Sequence, residues 1–571
     1  MKKSLLTIIL LFVCGITSIH AETKEFYPKS GAELKGVLDE AQKEANNHNQ
    51  LIVHLSNATY ELDDDAIFGT NINCNFYMTG PTGYTDGTLP VILLKDSVGE
   101  DDKYFGFGDS EAKENRTLNV RLENFRVEYA YDKPHDEYMI FKFCNVNGIT
   151  MRNVEVVQRV SNSITCVDFR HCDDVDIEGC TFVNYQGEKF TDELGVGGCL
   201  WLRTGCRNVS IRNNVLKKSG NDEALCFFYR VESNGATWKN ISVTGNTIEY
   251  SKRSDGKSLP IDLLIGVHSY SKNPKGDFST WENFDFSNNI VKCEDVVGRI
   301  FDVHNFKSDN FINVKVHDNT FIRNYASDAV TFVGGTSIDF AVKEDVAGNE
   351  NSVRTPIEIY NNQILLNHSL KYSKEAQGHQ EILNDGSSVK FYGNTVDGRN
   401  LQVTGAPDTF DEKRFILCHI DNHRAETEIF NNKLLNMGFL STTNSNKNIC
   451  DARLSVRDNH ITGDCRSYWN EMAGIDYIFA GNICEDTGWL LLFQSNKLGK
   501  DCSFTVTDNL FSKKASVAEM SGSMGYFTSP QRISRLVFTG NTLYRYGSGV
   551  LNTGWLTPDT PTLVTDNTLS F

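Results

Sequence analysis

The sequence predicts an all-β fold built as a long stack of parallel strands. Three observations support this prediction. One short pattern recurs about fifteen times, its copies lie 23 to 43 residues apart, and each copy contains a polar bend rich in asparagine. A repeat of this kind indicates stacked units within one domain rather than several separate domains. We therefore expect a leader at residues 1–21 followed by a single repetitive domain at 22–571.

Each copy of the pattern can be interpreted as a strand, a bend and the start of a second strand. Apolar residues alternate with polar ones in the first strand, so one face is buried and the other is not. The following Asn-Asn, Gly-Asn or Asp-Asn pair predicts a bend that contains a left-handed residue. Stacking would align these asparagines so that their side chains bond from coil to coil, which is a structural role. Typical copies are VSIRNNVL at 209–216, ISVTGNTI at 241–248, VKVHDNTF at 314–321, IEIYNNQI at 357–364 and LSVRDNHI at 454–461.

Over roughly residues 30–571 this pattern resembles the right-handed parallel β-helix of the pectate-lyase-like superfamily. The resemblance implies a right-handed, single-stranded parallel β-helix of about 15 coils. The stretch GAELKGVLDEAQKEA at 31–45 is typical of an amphipathic helix that caps the first coil, and 51–62 is expected to form the first strand. A β-propeller is the alternative repeat architecture, but its blades would need hairpins and more even spacing.

The first 21 residues predict a secretory signal. They have a basic start, an apolar run from Leu5 to Val13 and the small residue Ala21 before a cleavage point. Lipid attachment at Cys14 is the alternative, and it is disfavoured because bulky Val13 stands where such signals prefer a small residue. Neither this apolar run nor any other is long enough to span a bilayer. We expect an exported protein, periplasmic or extracellular, that acts as a monomer.

The charge of the chain limits its partners. The net charge is −18, and removal of two leader lysines makes it −20. This argues against nucleic acid, because the phosphate backbone requires a cationic surface. It also disfavours a broad polyanion-binding surface unless basic residues are gathered locally.

The cysteines are expected to be structural. Fifteen are present, irregularly spaced and without any CxxC pair, so the sequence predicts neither a disulfide scaffold nor a zinc site. Cys172 and Cys206 precede consecutive repeats at the same position, and Cys166 and Cys199 begin consecutive strands. Aligned positions of this kind favour a stack of small apolar side chains.

Candidate site residues lie on the short apolar run before each repeat, which would be the third strand of each coil. In proteins that this sequence resembles, the third sheet and its loops carry the substrate groove. If Val167 and Phe169 point inward, Asp168 and Arg170 point outward, and the same alternation exposes polar residues on the four following coils. Asn221-Asp222-Glu223 adds two carboxylates just before the apolar run at 224–230. The candidate catalytic residues are Asp168, Arg170, Arg203, Asp222, Glu223, Arg230, Asp262, His268, Asp302 and His304, and the candidate substrate-binding residues are Trp201 and His419.

Two chemistries remain open for such a groove, both on a polysaccharide. A hydrolase would use two carboxylates as acid and as base or nucleophile, and Asp222, Glu223, Asp262 and Asp302 are available. A lyase would remove a proton beside a uronate carboxylate, while a cation holds the developing charge. That cation would be Arg170, Arg203 or Arg230, or a Ca²⁺ held by aspartates, so the expected cofactor is none or Ca²⁺.

The chain departs from the named enzyme families of this superfamily. Polygalacturonase-like enzymes carry NTD, DD, GHG and RIK in order, whereas this chain has NDE at 221–223, GHQ at 378–380 and RIF at 299–301. The GExE motif of alginate-lyase and chondroitinase-B-like enzymes is also missing. The resemblance therefore extends to the superfamily and matches no specific enzyme family. A non-catalytic β-helix that binds glycan or mediates adhesion is the alternative function.

Overall fold

The structure is a computed structural model. Nearly all of the expected leader, including Cys14, lies outside the described residues. These are 21–44, 46–62, 71–83, 89–95, 103–109, 116–130, 138–159, 164–185, 197–220, 223–229, 236–253, 255–269, 280–305, 310–326, 336–344, 355–371, 378–385, 388–405, 416–421, 426–437, 439–443, 452–463, 467–470, 475–486, 491–494, 502–513, 525–527, 533–554, 556 and 558–570.

The chain forms a parallel β-helix with a short N-terminal helix, as the sequence predicts. Each coil passes through three sheets. Sheet 1 leads into the asparagine bend, sheet 2 follows the bend, and sheet 3 comes before the next coil. Strands Arg116–Tyr129 and Val146–Gln158 run through the bend and belong to both sheet 1 and sheet 2. Each strand pairs in parallel with the same strand of the next coil, at a spacing of about 4.8 Å.

The three sheets are defined by their strands within the described residues. Sheet 1 contains Thr23–Phe26, Gln50–His54, Asn75–Thr79, Arg116–Tyr129, Val146–Gln158, Asp173–Glu178, Arg207–Arg212, Thr237–Thr244, Thr280–Ser287, Asn310–His317, Ile357–Tyr360, Val389–Tyr392, Glu426–Phe430, Ala452–Arg457, Ile475–Ala480, Cys502–Thr507, Ile533–Thr539 and Thr562–Thr565. Sheet 2 contains Thr59–Leu62, Val91–Leu94, the two shared strands, Thr181–Asn184, Val215–Lys218, Thr247–Tyr250, Ile290–Cys293, Thr320–Arg323, Gln363–Leu366, Thr395–Asp397, Lys433–Leu435, His460–Thr462, Ile483–Glu485, Leu510–Ser512, Thr542–Tyr544 and Thr568–Ser570. Sheet 3 contains Lys103–Gly108, Tyr138–Cys144, Ile164–Arg170, Leu200–Arg203, Leu225–Tyr229, Ile261–Ser269, Val297–Asn305, Thr336–Glu344, Gly378–Asp385, Ile416–Asp421, Phe439–Thr443, Ser467–Asn470, Leu491–Gln494 and Gly525–Phe527. Ser369–Lys371 and Gln402–Thr404 form a separate pair, and Ser548–Leu551 is a 3₁₀ helix.

The bend between sheets 1 and 2 repeats the same backbone conformation. Its first residue is left-handed, as at Asn213, Gly245 and Asp318, with φ values of 56°, 69° and 55°. Glycine, asparagine and aspartate tolerate this conformation best. The asparagine that follows is buried, and Asn214 Nδ2 donates to Asn246 Oδ1 at 3.0 Å. Equivalent bonds join the successive pairs of Asn246, Asn289, Asn319, Asn362, Asn394, Asn432, Asn459, Asn482, Asn509, Asn541 and Asn567.

The core is filled by side chains stacked from coil to coil. Trp238 and Trp281 are fully buried and lie face to face with ring centroids 4.6 Å apart, and Phe311 continues this stack at 4.9 Å. Such aromatic pairs contribute about 0.5–1.5 kcal/mol each beyond their burial. Cys199 and Cys206 are buried thiols, and burial raises the pKa of each to about 12. They fill space as small apolar side chains.

An amphipathic helix covers the first coil. It runs over Gly31–Lys43, two residues shorter than predicted, and buries Leu34, Leu38 and Ala41. The Ser30 hydroxyl accepts a hydrogen bond from the Glu33 amide and fixes the start of the helix. The expected first strand is interrupted and forms Gln50–His54 and Thr59–Leu62 instead. Among the described residues, this structure contains no helix of the length and apolarity that a membrane crossing would need.

Candidate functional site

Strand register in sheet 3 brings most of the candidate residues into two neighbouring rows. These rows run across the strands, with about 4.8 Å between successive residues. Row A consists of Lys142, Asp168, Trp201, Cys226, Gly266 and Asp302. Row B consists of Cys144, Arg170, Arg203, Phe228, His268 and His304.

The predicted alternation identifies most of the inward residues correctly, but several residues that it places on the outward side are buried rather than exposed. Val167, Phe169 and Phe301 lie in the core, as expected. Asp168 and Asp302, however, are 0% exposed, and the exposed fractions of Trp201 and Arg203 are 4% and 2%. These four outward-facing side chains are therefore covered, whereas Asp262 and Arg170 of the same sheet are partly exposed. Alternation indicates which side of a strand a residue occupies, but it does not predict what else packs on that side.

Asp168 holds two arginines in fixed positions. Arg203 donates from Nε to Asp168 Oδ1 at 2.8 Å and from Nη2 to Oδ2 at 2.7 Å. Arg170 donates from Nε to the same Oδ2 at 2.7 Å. Burial alone would raise the pKa of Asp168, but the charges of Arg203 and Arg170 outweigh it and leave this pKa below its usual value. Asp168 is therefore a permanent anion that orients cations, which suits it poorly to the role of a general acid.

Arg170 is the most exposed of these three charged groups. Its side chain is 24% exposed, whereas Arg203 is covered and its guanidinium lies 4.7 Å from the ring centroid of Trp201. The backbone of Lys142 lies opposite that of Asp168 on the preceding strand. Asp168 is therefore bonded to two arginines and lies in register with a lysine. Basic residues are thus clustered locally, as an acidic chain would need in order to bind a polyanion.

Trp201 does not present a free ring to a sugar in this structure. One of its neighbours is the Arg203 guanidinium, and its Nε1 lies 2.0 Å from the position where a Cβ on Gly198 would stand. The ring is packed between protein groups. The prediction that Trp201 stacks on a pyranose therefore fails for this conformation.

The predicted carboxylate pair Asp262 and Asp302 is bridged by an arginine. Arg299 Nη2 donates to Asp262 Oδ2 at 2.5 Å, and its Nη1 donates to Asp302 Oδ2. Asp262 is half exposed and Asp302 is buried. One guanidinium thus bridges the two carboxylates. Asp262 and Asp302 are therefore not placed as an acid and a base on either side of a free space.

The strand that carries Asp262 is less regular than predicted. Leu264 and Ile265 both belong to the core, whereas Leu263, which strict alternation would turn inward with Ile265, does not. The simple alternation is therefore interrupted at this point. Arg299, on the next strand, reaches both Asp262 and Asp302 across this irregular region.

The remaining candidates are described only in part. Glu223 is partly buried at the start of its strand, whereas Asp222 and Arg230 lie outside the described residues. For three histidines the backbone is described but the side chain is not. His268 and His304 are in row B, and His419 continues row A beyond Asp302 through Ala341 and Leu383.

Sequence reasoning missed Lys142 and Arg299. Lys142 occupies the outward slot of MIFKFC, where the same alternation that selected Asp168 would have found it. Arg299 was noted only within the RIF stretch, and its link to two aspartates depends on the three-dimensional irregularity of the neighbouring strand.

No protein-family model matches the chain, and no curated protein sequence matches it. Among solved structures, one described as a mannuronic acid specific polysaccharide family 6 lyase enzyme from human gut microbiota aligns with it. The alignment covers 86% of this chain and 88% of that one, with 12% sequence identity and a TM-score of 0.25. These values describe a distant likeness and assign no role to any residue here.

Proposed function

We propose that this protein is exported and binds an acidic polysaccharide along the outer side of sheet 3, where it acts as a lyase on uronate units. The observation that supports the proposal is the Asp168–Arg170–Arg203 cluster. A buried aspartate holds two guanidinium groups, and one of them remains partly exposed. Cations held in place before substrate arrives stabilise developing negative charge without reorganisation.

In this proposal Arg170 pairs with the uronate carboxylate, and Arg203 and Asp168 fix its position. A base removes the proton from the carbon beside that carboxylate, and the electron pair delocalises into the carboxylate as an enolate. The double bond then forms as the bond to the leaving glycosidic oxygen breaks, and this oxygen takes a proton. His268 and His304 are the candidate bases because they lie in the same row as Arg170. Their backbones are three and four strands from Arg170, about 14 and 19 Å away, so the substrate and the side chains must bridge this distance.

Hydrolysis is the less favoured chemistry because two of the four candidate carboxylates are bridged by one arginine. Asp262 and Asp302 share Arg299, whereas a hydrolase needs an acid and a base or nucleophile placed on either side of the scissile bond. Calcium at these aspartates remains a proposal, which a chelator can test. Binding without cleavage is the other outcome to be distinguished.

The test uses purified protein with neutral polysaccharides and with polymers of different uronates, with and without EDTA. We expect absorbance near 235 nm and new reducing ends to rise together, only with uronate polymers. Reducing ends without that absorbance would mean hydrolysis, and retention without products would mean a binding protein. Either result would overturn the lyase proposal.

The matched variants are Arg170→Gln and Arg207→Gln. Arg207 also donates to an aspartate, through Nε and Nη2 to Asp173, but it lies on sheet 1. Loss of a charge-assisted bond worth about 1.5–3 kcal/mol should lower kcat/KM about 10- to 100-fold in the first variant. The second variant should retain full activity. Equal activity in both would remove Arg170 from the site.

A further inference from the structure

A second group of charged residues lies at the junction of sheets 2 and 3, several coils away from Asp168. Asp339, His379 and Glu381 are each 0% exposed, and one potential ligand atom from each lies within 4.8 Å of the others. Ser337 and His379 pair directly across neighbouring strands, and Asp339 and Glu381 lie just beyond them at matching positions. Nothing in the proposed lyase reaction uses these residues.

The imidazole of His379 is at the centre of this group. Its Nε2 lies 3.3 Å from Asp339 Oδ2 and 3.3 Å from Glu381 Oε2. Zinc bonds to nitrogen and oxygen are about 2.0–2.1 Å long, and a tetrahedral arrangement then separates neighbouring ligand atoms by about 3.3 Å. The observed separations therefore match those of ligands around one small cation.

The opposite side of the ring is held in the way typical of metal-bound histidines. His379 Nδ1 lies 2.9 Å from Ser337 Oγ, which is in turn 3.0 Å from His368 Nε2. This chain allows the serine hydroxyl to donate its proton to His368 Nε2. Nδ1–H of His379 then donates to the serine oxygen, and an uncharged His379 directs its Nε2 lone pair at the two carboxylates.

Asp339 has unused capacity on the side of the histidine. Arg323 Nε donates to Asp339 Oδ1 at 2.5 Å, which leaves Oδ2 on the histidine side. Asp339 Oδ2 accepts no hydrogen bond of normal geometry from the described residues. A buried carboxylate oxygen without such a partner is costly, and a cation bound between Asp339 Oδ2, Glu381 and His379 would satisfy it.

We propose that Asp339, His379 and Glu381 form a buried structural site for a divalent transition metal, with Zn²⁺ as the best match to one imidazole and two carboxylates. The metal is acquired during folding, because the site has no exposed atoms to admit it afterwards. It joins strands Thr336–Glu344 and Gly378–Asp385 and stabilises the junction that Arg323 enters from sheet 2.

The test is metal analysis of the full chain, as purified and after unfolding with a chelator and refolding with or without Zn²⁺. We expect about one equivalent of tightly held zinc in the purified and zinc-refolded protein, and a higher Tm than in the metal-free protein. Less than about a tenth of an equivalent in zinc-refolded protein would overturn the proposal.

The variants His379→Gln and His317→Gln provide a matched comparison. His317 also lies between two carboxylates, Asp285 and Asp318, but these contact opposite ring nitrogens and cannot converge on one ion. The first variant should lose the zinc and the second should keep it. Retention of zinc in folded His379→Gln would overturn the assignment.

A spectroscopic measurement covers the case in which the buried variant does not fold. Wild-type protein refolded with Co²⁺ should show the visible absorption of a tetrahedral nitrogen–oxygen site, and Zn²⁺ added during refolding should abolish it. Absence of these bands would refute the proposal independently of any variant. Because the readouts are metal content and spectra, they do not depend on the proposed lyase activity.

Discussion

Replacing Asn362 by alanine tests whether the buried asparagines stabilise the stack through their side-chain bonds. Asn362 Oδ1 accepts from the Asn319 backbone amide and from Asn319 Nδ2, both at 3.0 Å. Its Nδ2 donates to Val316 O and to Asn394 Oδ1, also at 3.0 Å. After substitution, the Asn319 amide and Val316 O lose the partner that this side chain supplies, and neither can reach water easily because Asn362 is 1% exposed.

The expected cost follows from those two backbone groups. Each buried group left without a partner costs about 1–3 kcal/mol, so Asn362→Ala should lower the free energy of unfolding by roughly 4 kcal/mol. Two controls separate this effect from general damage. Asn361→Gly changes the neighbouring left-handed, exposed residue and should cost only a few tenths of a kcal/mol, because glycine adopts this conformation freely. Asn567→Ala removes the last asparagine of the row, which is half-buried, and should cost about 1 kcal/mol because water can replace its bonds.

Urea unfolding followed by far-UV circular dichroism would rank the three variants. Hydrogen exchange would report locally, since the Asn319 amide should lose about three orders of magnitude of protection in Asn362→Ala. If Asn362→Ala is no less stable than the two controls, and Asn319 stays protected, the side-chain bonds contribute little.

Two further predictions concern buried titratable groups. The pKa of Glu381 is raised to about 8, so its contribution to the stability of metal-free protein is present below its ordinary pKa of 4.5 and is lost as the pH rises towards 8. Glu381→Gln should therefore reduce the pH dependence of the urea midpoint between pH 7 and 8. An unchanged pH dependence would contradict this. Burial raises the pKa of the thiols of Cys199, Cys206 and Cys418 to about 12, so they should react with a disulfide reagent at pH 8 only after unfolding. Rapid labelling of these residues in native protein, mapped by mass spectrometry, would refute the described packing.

The bends could be predicted from sequence because local chemistry determines them. A left-handed position accepts few residue types, and the chain supplies asparagine, aspartate or glycine at each described bend of the row, followed by the asparagine that is buried. The strand before each bend alternates with a period of two, so its inward face could also be predicted. These are interactions between neighbours in sequence or between identical positions in successive coils.

The site could be predicted less completely because it depends on contacts that no repeat encodes. Asp168 was correctly placed on the outward side, but its burial and its two arginine partners arise from packing between coils. The zinc candidates were missed for a different reason. Ser337 to Val342 are all buried, so the alternation of buried and exposed residues fails there and does not single out Asp339. One signal was available, since Arg323 occupies an inward slot two residues after Phe321 and a buried arginine requires an anionic partner.

The constant geometry of the asparagine bend means that the stack can change length in whole coils. Successive asparagines of the row are 23 to 43 residues apart, yet the bond between them stays at 2.9 to 3.2 Å, so the variation in length is absorbed elsewhere in each coil. Deleting residues 433–459 would join Asn432 to His460, whose strand already lies in register with Lys433–Leu435. Asn482 would then replace Asn459 as the neighbour of Asn432. A deletion or duplication of one complete coil thus preserves the asparagine row. Related proteins can therefore differ in overall length while retaining that row.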